Sequence, residues 1–492
     1  MKQKLKQLKA DMANASSYAE WREAAIEHDR ASGMDAWRND EFSPDYDWQL
    51  IKAKLEELRR LRRDSEVLKL AFALHEGLHG NLANIANPAL YQHAKFGTKK
   101  LLTDYIEEVA LTLNYLCVTE FPEFPTGDKI RFFSRLGKSF GRSALLLSGG
   151  ATLGMFHIGV VKAIFDEALL PRVISGSSAG SIIAAVVGTH ADHELAKIFD
   201  PKYLSLQAWR ALGIRGALKH RAVMDGAQLA ECIRDNVGDY SFEEAFEYTG
   251  RIVNITVSPA DPHEQSRMLN YLTSPSVLVR RASLASCAVP GLFPPVELEA
   301  KDFYGNAIAY MPGRRWVDGS IEADLPMLRL SRLHNANHYI VSQTNPHVVP
   351  FLSDKKRKTG LIAFARDVVT SNSRNTIKLA REHMGPNVVS NLLGKVHSVT
   401  SQKYQGDVTV FPTQSAAQLF KVISNPTPQD IDTFIVAGQR ATWPKLERIR
   451  YSSLISRTLD TCLLQLKSRS YGKPPARTGE KVVQMAQRVL RL

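Results

Sequence analysis

The sequence has 492 residues, 44% hydrophobic and 23% charged, a composition that gives room for two or three globular domains and excludes a disordered tail. Its most apolar stretches, 143–165 and 181–189, are broken by glycines, His157 and Lys162 or fall short of the roughly 20 residues of a spanning helix, so no transmembrane helix is expected. A net charge of +13 suits nucleic acid, an anionic membrane surface or plain solubility; no nucleic-acid-binding motif and no basic run interleaved with aromatics accompanies it, which argues against nucleic acid.

The first ten residues, MKQKLKQLKA, carry lysines with no apolar run behind them, so no secretory signal is expected and a cytosolic chain is. From Tyr18 to about Leu116 helical patterns dominate, with turns at Ser43-Pro44 and Asn87-Pro88. Within them residues 75–79 read HEGLH, the H-E-x-x-H pattern of zinc proteases, in which two histidines share a helix face. Gly77 and Gly80 weaken such a helix, and Leu82 and Ile85 stand where the extended motif needs Gly and His. The face carrying Leu68, Ala71 and Phe72 continues into both histidines, so buried packing is expected there, and no metal. FPEFPTGD at 121–128 reads as a linker.

Strand-like and helical runs then alternate: SALLLSGG, residues 155–170, RVISG, residues 179–187, and later RIVNITVSP and HYIVSQTNP. That alternation predicts an α/β fold, a mostly parallel sheet flanked by helices. After Pro346 the pattern is mainly helical and basic; residues 440–492 hold twelve Lys and Arg against three Asp and Glu. The expected division is therefore 1–137, all-helical; 138–346, catalytic; and 347–492, mainly helical. Cys117, Cys232, Cys287 and Cys462 lie far apart with no metal spacing and read as reduced core residues.

The chemistry is concentrated in the α/β part. VISGSSAGSIIAAVV contains Gly-x-Ser-x-Gly at Gly176, Ser178 and Gly180, between a short β-branched strand and a small-residue helix. In that setting a sharp elbow presents a nucleophilic serine hydroxyl, with the helix N-terminus adding positive partial charge. The preceding strand ends in Gly149, Gly150 and Ala151, which a right-handed βαβ unit sets beside the elbow, where bare amides can hold an oxyanion. A dinucleotide or phosphate loop is excluded by the missing middle glycine and the missing Lys-Ser or Lys-Thr. Downstream, Asp318 closes the short apolar strand of RRWVDGS. It reads either as a turn Asp-Gly or as the acid of a site, and His334, His338 and His347 follow it as histidines for a triad.

Four segments, GGATLGMFHIGVVKAI, GSSAGSI, ASCAVPGLFPPV and VDGSIEADLP, resemble in order the signatures of patatin-like lipid acyl hydrolases. Two leading segments, YAEWREAAIEHDRASGMDAWRNDEFSPDYDWQLI and NLANIANPALYQHAKFGTKKLLTDYIEEV, are similar to the helical domain of yeast lipid-droplet and plant oil-body triacylglycerol lipases, and the likeness covers roughly 18–412. The resemblance implies a Ser-Asp dyad with no histidine and no cofactor: Ser178 as nucleophile, Asp318 as base, and Gly149, Gly150 and Ala151 as oxyanion loop. Ala151 replaces the third glycine of many such loops and offers its amide at a negative φ. The implied substrate is triacylglycerol, with phospholipid hydrolysis or acyl transfer as alternatives on the same site. A lipid substrate implies peripheral contact with a membrane or droplet. The basic KKRK at 355–358 and the terminal KVVQMAQRVLRL, with Val482, Met485, Ala486, Val489 and Leu490 on one face, are candidates for that contact. Asp318, beside Trp316 and Val317, is expected to be buried and bonded directly to Ser178.

Overall fold

The structure is a computed structural model and describes residues 1–205, 207–213, 222–261, 264–346, 348–349, 404–412 and 424–470. The chain opens with seven helices: α1 (Lys2–Asn14), α2 (Tyr18–Ser32), α3 (Met34–Asn39), α4 (Trp48–Arg63), α5 (Val67–Gly77), α6 (Lys100–Val118) and α7 (Thr126–Phe140). α4 shows why they form. Ile51, Leu55, Leu58 and Leu61 recur at helical spacing and are all buried, while the Asp47 carboxylate caps the first turn by accepting from the Leu50 amide at 3.1 Å. The expected linker at 121–128 is shorter than foreseen, because α7 already starts at Thr126.

α5 overturns the packing expected around HEGLH. Its buried stripe is Val67, Leu70, Ala71 and Leu74, leaving Leu68 and Phe72 exposed. The helix ends at Gly77 and Leu78 turns to an extended conformation, so His79 leaves the helix. Both histidines are exposed and share no face, and no metal-binding cluster of His, Cys, Asp or Glu exists among the described residues. All four cysteines are free and buried.

The sheet follows in alternation with helices: β1 (Arg142–Leu147), α8 (Phe156–Asp166), β2 (Val173–Gly176), α9 (Ala179–Thr189), α10 (Asp192–Ile198), α11 (Gly226–Val237), α12 (Phe242–Thr249), β3 (Ile252–Pro259), β4 (Arg267–Leu269), α13 (Val279–Ser286), β5 (Glu299–Lys301), β6 (Ala307–Ala309), β7 (Trp316–Asp318), α14 (Ser320–Ala323), α15 (Met327–His334) and β8 (Ala336–Ser342). With a last strand β9 (Val408–Val410), the strand order is β4-β3-β2-β1-β8-β9, with β7 also on β3 and β5–β6 a separate hairpin. Pairs β3-β2, β2-β1, β1-β8 and β8-β9 are parallel; β4 and β7 run antiparallel to β3.

The last described elements are β9 (Val408–Val410), α16 (Pro428–Thr442) and α17 (Leu446–Ser470). They are mainly helical, as expected for the end of the chain, and they pack into both of the preceding cores. The alternating Val-Thr-Val of β9 pairs with β8 and extends the sheet. α16 lays Ile431 and Ile435 into the sheet's core, and α17 puts Ile455, Leu459, Cys462 and Leu466 into the core of the leading helices. The tail thus joins two cores, which a reading of local periodicity cannot foresee. KKRK, the terminal KVVQMAQRVLRL and His347 lie outside the described residues.

Leu459→Ala, a fully buried truncation at that junction, is expected to cost about 2–5 kcal/mol in denaturant unfolding. A loss below about 0.5 kcal/mol, the range of surface substitutions, would show that α17 does not complete the helical core.

Candidate active site

β2 ends at Gly176 and α9 begins at Ala179, so Ser177 and Ser178 make the whole turn. Ser178 adopts φ +51° and ψ −128°, a conformation that side-chain-bearing residues hold only when their surroundings enforce it. Here they do. A Cβ on Gly176 would strike the Gly180 carbonyl oxygen, and one on Gly180 that of Leu147, so the elbow closes only with glycine on both sides. The Ser178 amide donates to the Ser286 hydroxyl at 3.0 Å, which donates to the Thr256 carbonyl at 2.7 Å. The Ser177 hydroxyl donates to the Asp324 carbonyl at 2.9 Å. Ser178 is 9% exposed at the N-terminus of α9.

The acid reaches the serine through β3. Along one edge of β3, Gly176 of β2 pairs with Ile255, and Asp318 of β7 pairs with Val257. β4 pairs with both Ile255 and Val257 from the other edge, so β2 and β7 must share the first. β7 occupies the place that β2 vacates when its chain turns into the elbow. Two residues of strand, about 7 Å, separate the end of one from the end of the other.

Asp318 is 1% exposed. Burial pushes its carboxyl up to about 6, against the Ser320 amide, which donates to Oδ1 at 2.7 Å, and against the Ser178 hydroxyl and the Ser320 side chain. Oδ2 is buried without a hydrogen-bond partner. The Ser178 hydroxyl is near enough to favour the charged carboxylate, yet no hydrogen bond of ordinary geometry joins the two. The direct bond expected from the sequence is not among the hydrogen bonds of Asp318; catalytic hydrogen bonds commonly tighten only in the complex with substrate.

The glycine loop is held plane by plane. His157 is fully buried, which pushes its pKa down to about 4 and keeps the ring neutral. Nε2 donates to the Ser148 carbonyl at 2.9 Å, so Nδ1 accepts from the Ser342 hydroxyl at 2.7 Å. The Gly149 carbonyl accepts from the Ser148 hydroxyl at 2.9 Å and the Thr344 hydroxyl at 3.0 Å. The Gly150 carbonyl accepts from the Leu153 amide at 3.1 Å. In a trans peptide N–H points away from C=O, so these bonds turn the Gly150 and Ala151 amides the other way. Neither finds an acceptor among the described residues.

Two expectations for the loop fail. The Gly149 amide is already spent: it donates to Asp324 Oδ1 at 2.9 Å, leaving Gly150 and Ala151 as the open donors. Ala151 has φ +50°, not the negative angle foreseen, at the point where the loop passes into a short 3₁₀ turn at Ala151–Met155.

Asp324 is the functional residue that sequence reasoning missed. It is 2% exposed, and burial pushes it up to about 7; the Gly149 amide resists, the charge of Asp318 adds to the rise, and Gln343 and Asn345 resist in turn. The Asn345 amide donates to Oδ2. One side chain thus ties the glycine loop to the strand end after β8. Its signal was a second carboxyl set among the apolar residues of SIEADLP, inside a segment already singled out.

The two candidate histidines among the described residues, His334 and His338, are elsewhere. His334 Nε2 bonds Asn254 Oδ1 at 2.8 Å in the core, and His338 Nδ1 pairs with the Ser143 hydroxyl at 2.9 Å where β1 and β8 begin, away from the strand ends that carry Ser178. Burial pushes both down to about 4.

Residues 1–138 match a family described as a domain of unknown function, DUF3336, and 145–330 match the patatin-like phospholipase family. Triacylglycerol lipase ptl3 of Schizosaccharomyces pombe is 34% identical over 94% of this chain and 98% of its own length. Triacylglycerol lipase SDP1L of Arabidopsis thaliana is 37% identical over 92% of this chain, and triacylglycerol lipase 4 of Saccharomyces cerevisiae 34% over 93%. The chain spans 58% and 53% of the length of these last two.

If Asp324 orders the loop, Asp324→Asn turns an amide donor toward Asn345 and slows phosphonylation of Ser178 by a fluorophosphonate at least about ten-fold, part of what an oxyanion donor is worth. Adding Asn345→Asp restores donor facing acceptor and recovers most of the rate. No recovery would mean that Asp324 does not act through this contact.

Proposed function

The chain belongs to the patatin-like family of lipid acyl hydrolases, and from that premise we propose that it cleaves fatty-acyl esters with Ser178 as nucleophile and Asp318 as its base. The observation that carries the reading is a buried carboxylate with one unsatisfied oxygen, held by backbone register next to a serine on a strained elbow.

The geometry supports the following steps. Ser178 Oγ attacks the ester carbonyl carbon while its proton passes to Asp318 Oδ2. The carbonyl oxygen becomes an oxyanion facing the Gly150 and Ala151 amides, donors typically worth about 10²–10³ in rate each. As the C–O bond to the alcohol breaks, Asp318 returns the proton to the leaving oxygen, and an acyl-serine remains. Water attacks it, giving its proton to Asp318; Ser178 Oγ leaves, takes that proton back and the fatty acid departs. A solvated carboxylate near pKa 4 is a feeble base; desolvation brings Asp318 closer to neutral pH, where a general base works best.

Triacylglycerol is the proposed substrate, supported by relatives named as its lipases. Phospholipid is the second reading, supported by the family's own description. The same lipid substrate supports peripheral association with a membrane or lipid droplet; among the described residues no helix is long and apolar enough to cross a membrane.

Fatty acid released in parallel from triolein and phosphatidylcholine tests both. Ser178→Ala is expected to abolish release from the preferred lipid, and Asp318→Asn to cost about 10²–10⁴, while His334→Ala and His338→Ala leave the chemical step unchanged in protein that remains folded. Full activity in Asp318→Asn would remove the acid from the mechanism.

The pH profile carries its own sign. The base works only when ionised and its pKa is raised to about 6, so kcat/KM is expected to fall as pH drops through about 6. A limb near 4 would mean an exposed, unperturbed acid.

A further inference from the structure

We propose that the β5–β6 hairpin is the element that enters the lipid surface, with Phe303 and Tyr304 at its apex. The proposal rests on the hydrolase reading above for its partner, and on independent observations for its place.

Residues 303–313 read FYGNAIAYMPG: eleven positions without a charge in a chain that is 23% charged. They are not hidden. Phe303 is 98% exposed and Tyr304 85%, their rings 5.7 Å apart, and Ile308 and Met311 are exposed behind them. Uncharged surface of this kind on a soluble face marks a place that is covered in use.

The apex is built. The Asp302 carboxylate accepts from the Tyr304 amide at 2.9 Å and the Asn306 amide at 2.8 Å, Gly305 takes φ +86°, and the Asp302 amide closes the turn on the Asn306 carbonyl at 2.9 Å. No side chain of the core holds the two rings, so the turn presents them outward.

The hairpin is tied to the catalytic acid. Below β5–β6 the same two chain segments stay paired, Tyr310 with Leu298 and Trp316 with Val296, and the second runs straight into β7 and Asp318. Because β7 enters antiparallel to β3, Trp316 lies opposite Pro259 at the carboxyl end of β3. The ribbon therefore leaves the sheet at the end where Ser178 and the glycine loop lie. At its root a cavity of about 640 Å³, lined in part by Leu284, Ala288, Phe293 and Val296, borders both the ribbon and Ala288, whose carbonyl accepts from the Asp318 amide at 3.0 Å.

Chemistry selects a lipid surface over a second protein. Along the second strand of the ribbon a bare phenyl ring and a phenol come first, then small neutral residues, and charge returns only at the root, where Arg314 and Arg315 are held by Glu264 and Glu297. Acyl chains and then the interfacial belt, with the charged groups left in water, want that order.

The full chain and its Phe303→Ser/Tyr304→Ser variant are floated with triolein droplets coated in dioleoylphosphatidylcholine, and assayed on the droplets and on water-soluble p-nitrophenyl butyrate. The variant is expected to bind droplets at least ten-fold less and to release fatty acid from them less by the same factor, with butyrate hydrolysis unchanged. Unchanged flotation overturns the proposal, as does a wild-type dimer that the variant dissociates. A Tyr304→Trp variant guards against misfolding: its added emission shifts to the blue on phosphatidylcholine vesicles, and an unshifted spectrum overturns the proposal. Absence of butyrate hydrolysis in the wild type would instead sink the hydrolase reading, while flotation still decides the role of the hairpin.

Discussion

One edge of β3 is bonded first by β2 and then by β7, and everything at the site depends on that succession. Backbone hydrogen bonds, not flexible side chains, set how far the elbow stands from the acid. Since side chains alternate across a strand, a slip of one residue in β7 would turn Asp318 to the opposite face. The register is pinned from both directions, by Trp316 pairing with Val296 and by the Asp318 amide donating to Ala288.

Desolvation is the second constraint, and two carboxyls answer it differently. Asp324 is fully engaged, by the Gly149 amide on one oxygen and the Asn345 amide on the other. Asp318 keeps Oδ2 without a partner, a state that costs about 1–3 kcal/mol for a buried polar atom. That cost fits the proposed role of Asp318 as the base that accepts a proton from Ser178, and it is tolerable because the neighbouring strands are tightly fixed. The same economy governs the glycine loop, where carbonyls are satisfied by Ser148, Thr344 and Leu153 while two amides are left open.

Much of this was legible in the sequence because its signals are local. Gly176-x-Ser178-x-Gly180 between a strand and a helix, the glycine pair at the end of β1, and alternating strand and helix patterns are short-range features, and the sheet and elbow follow them. What escaped was long-range. Nothing near Val408 announces that its partner strand is β8, and nothing near Leu459 announces α6 and α7. The capture of the Gly149 amide by Asp324, 175 residues away, has no local trace either, nor has the positive φ of Ala151. HEGLH misled in the opposite direction: a local pattern whose helix stops at Gly77 before it can join its two histidines.

A structure of the phosphonate adduct at Ser178 would examine the arrangement most directly, since its phosphoryl oxygen stands where the oxyanion forms. The account predicts that oxygen within about 2.7–3.1 Å of the Gly150 and Ala151 amides, with the Gly149 amide still on Asp324 and the Asp318 carboxylate against the serine oxygen. An oxygen turned away from both amides, or an Asp318 carboxylate out of reach of Ser178, would contradict it.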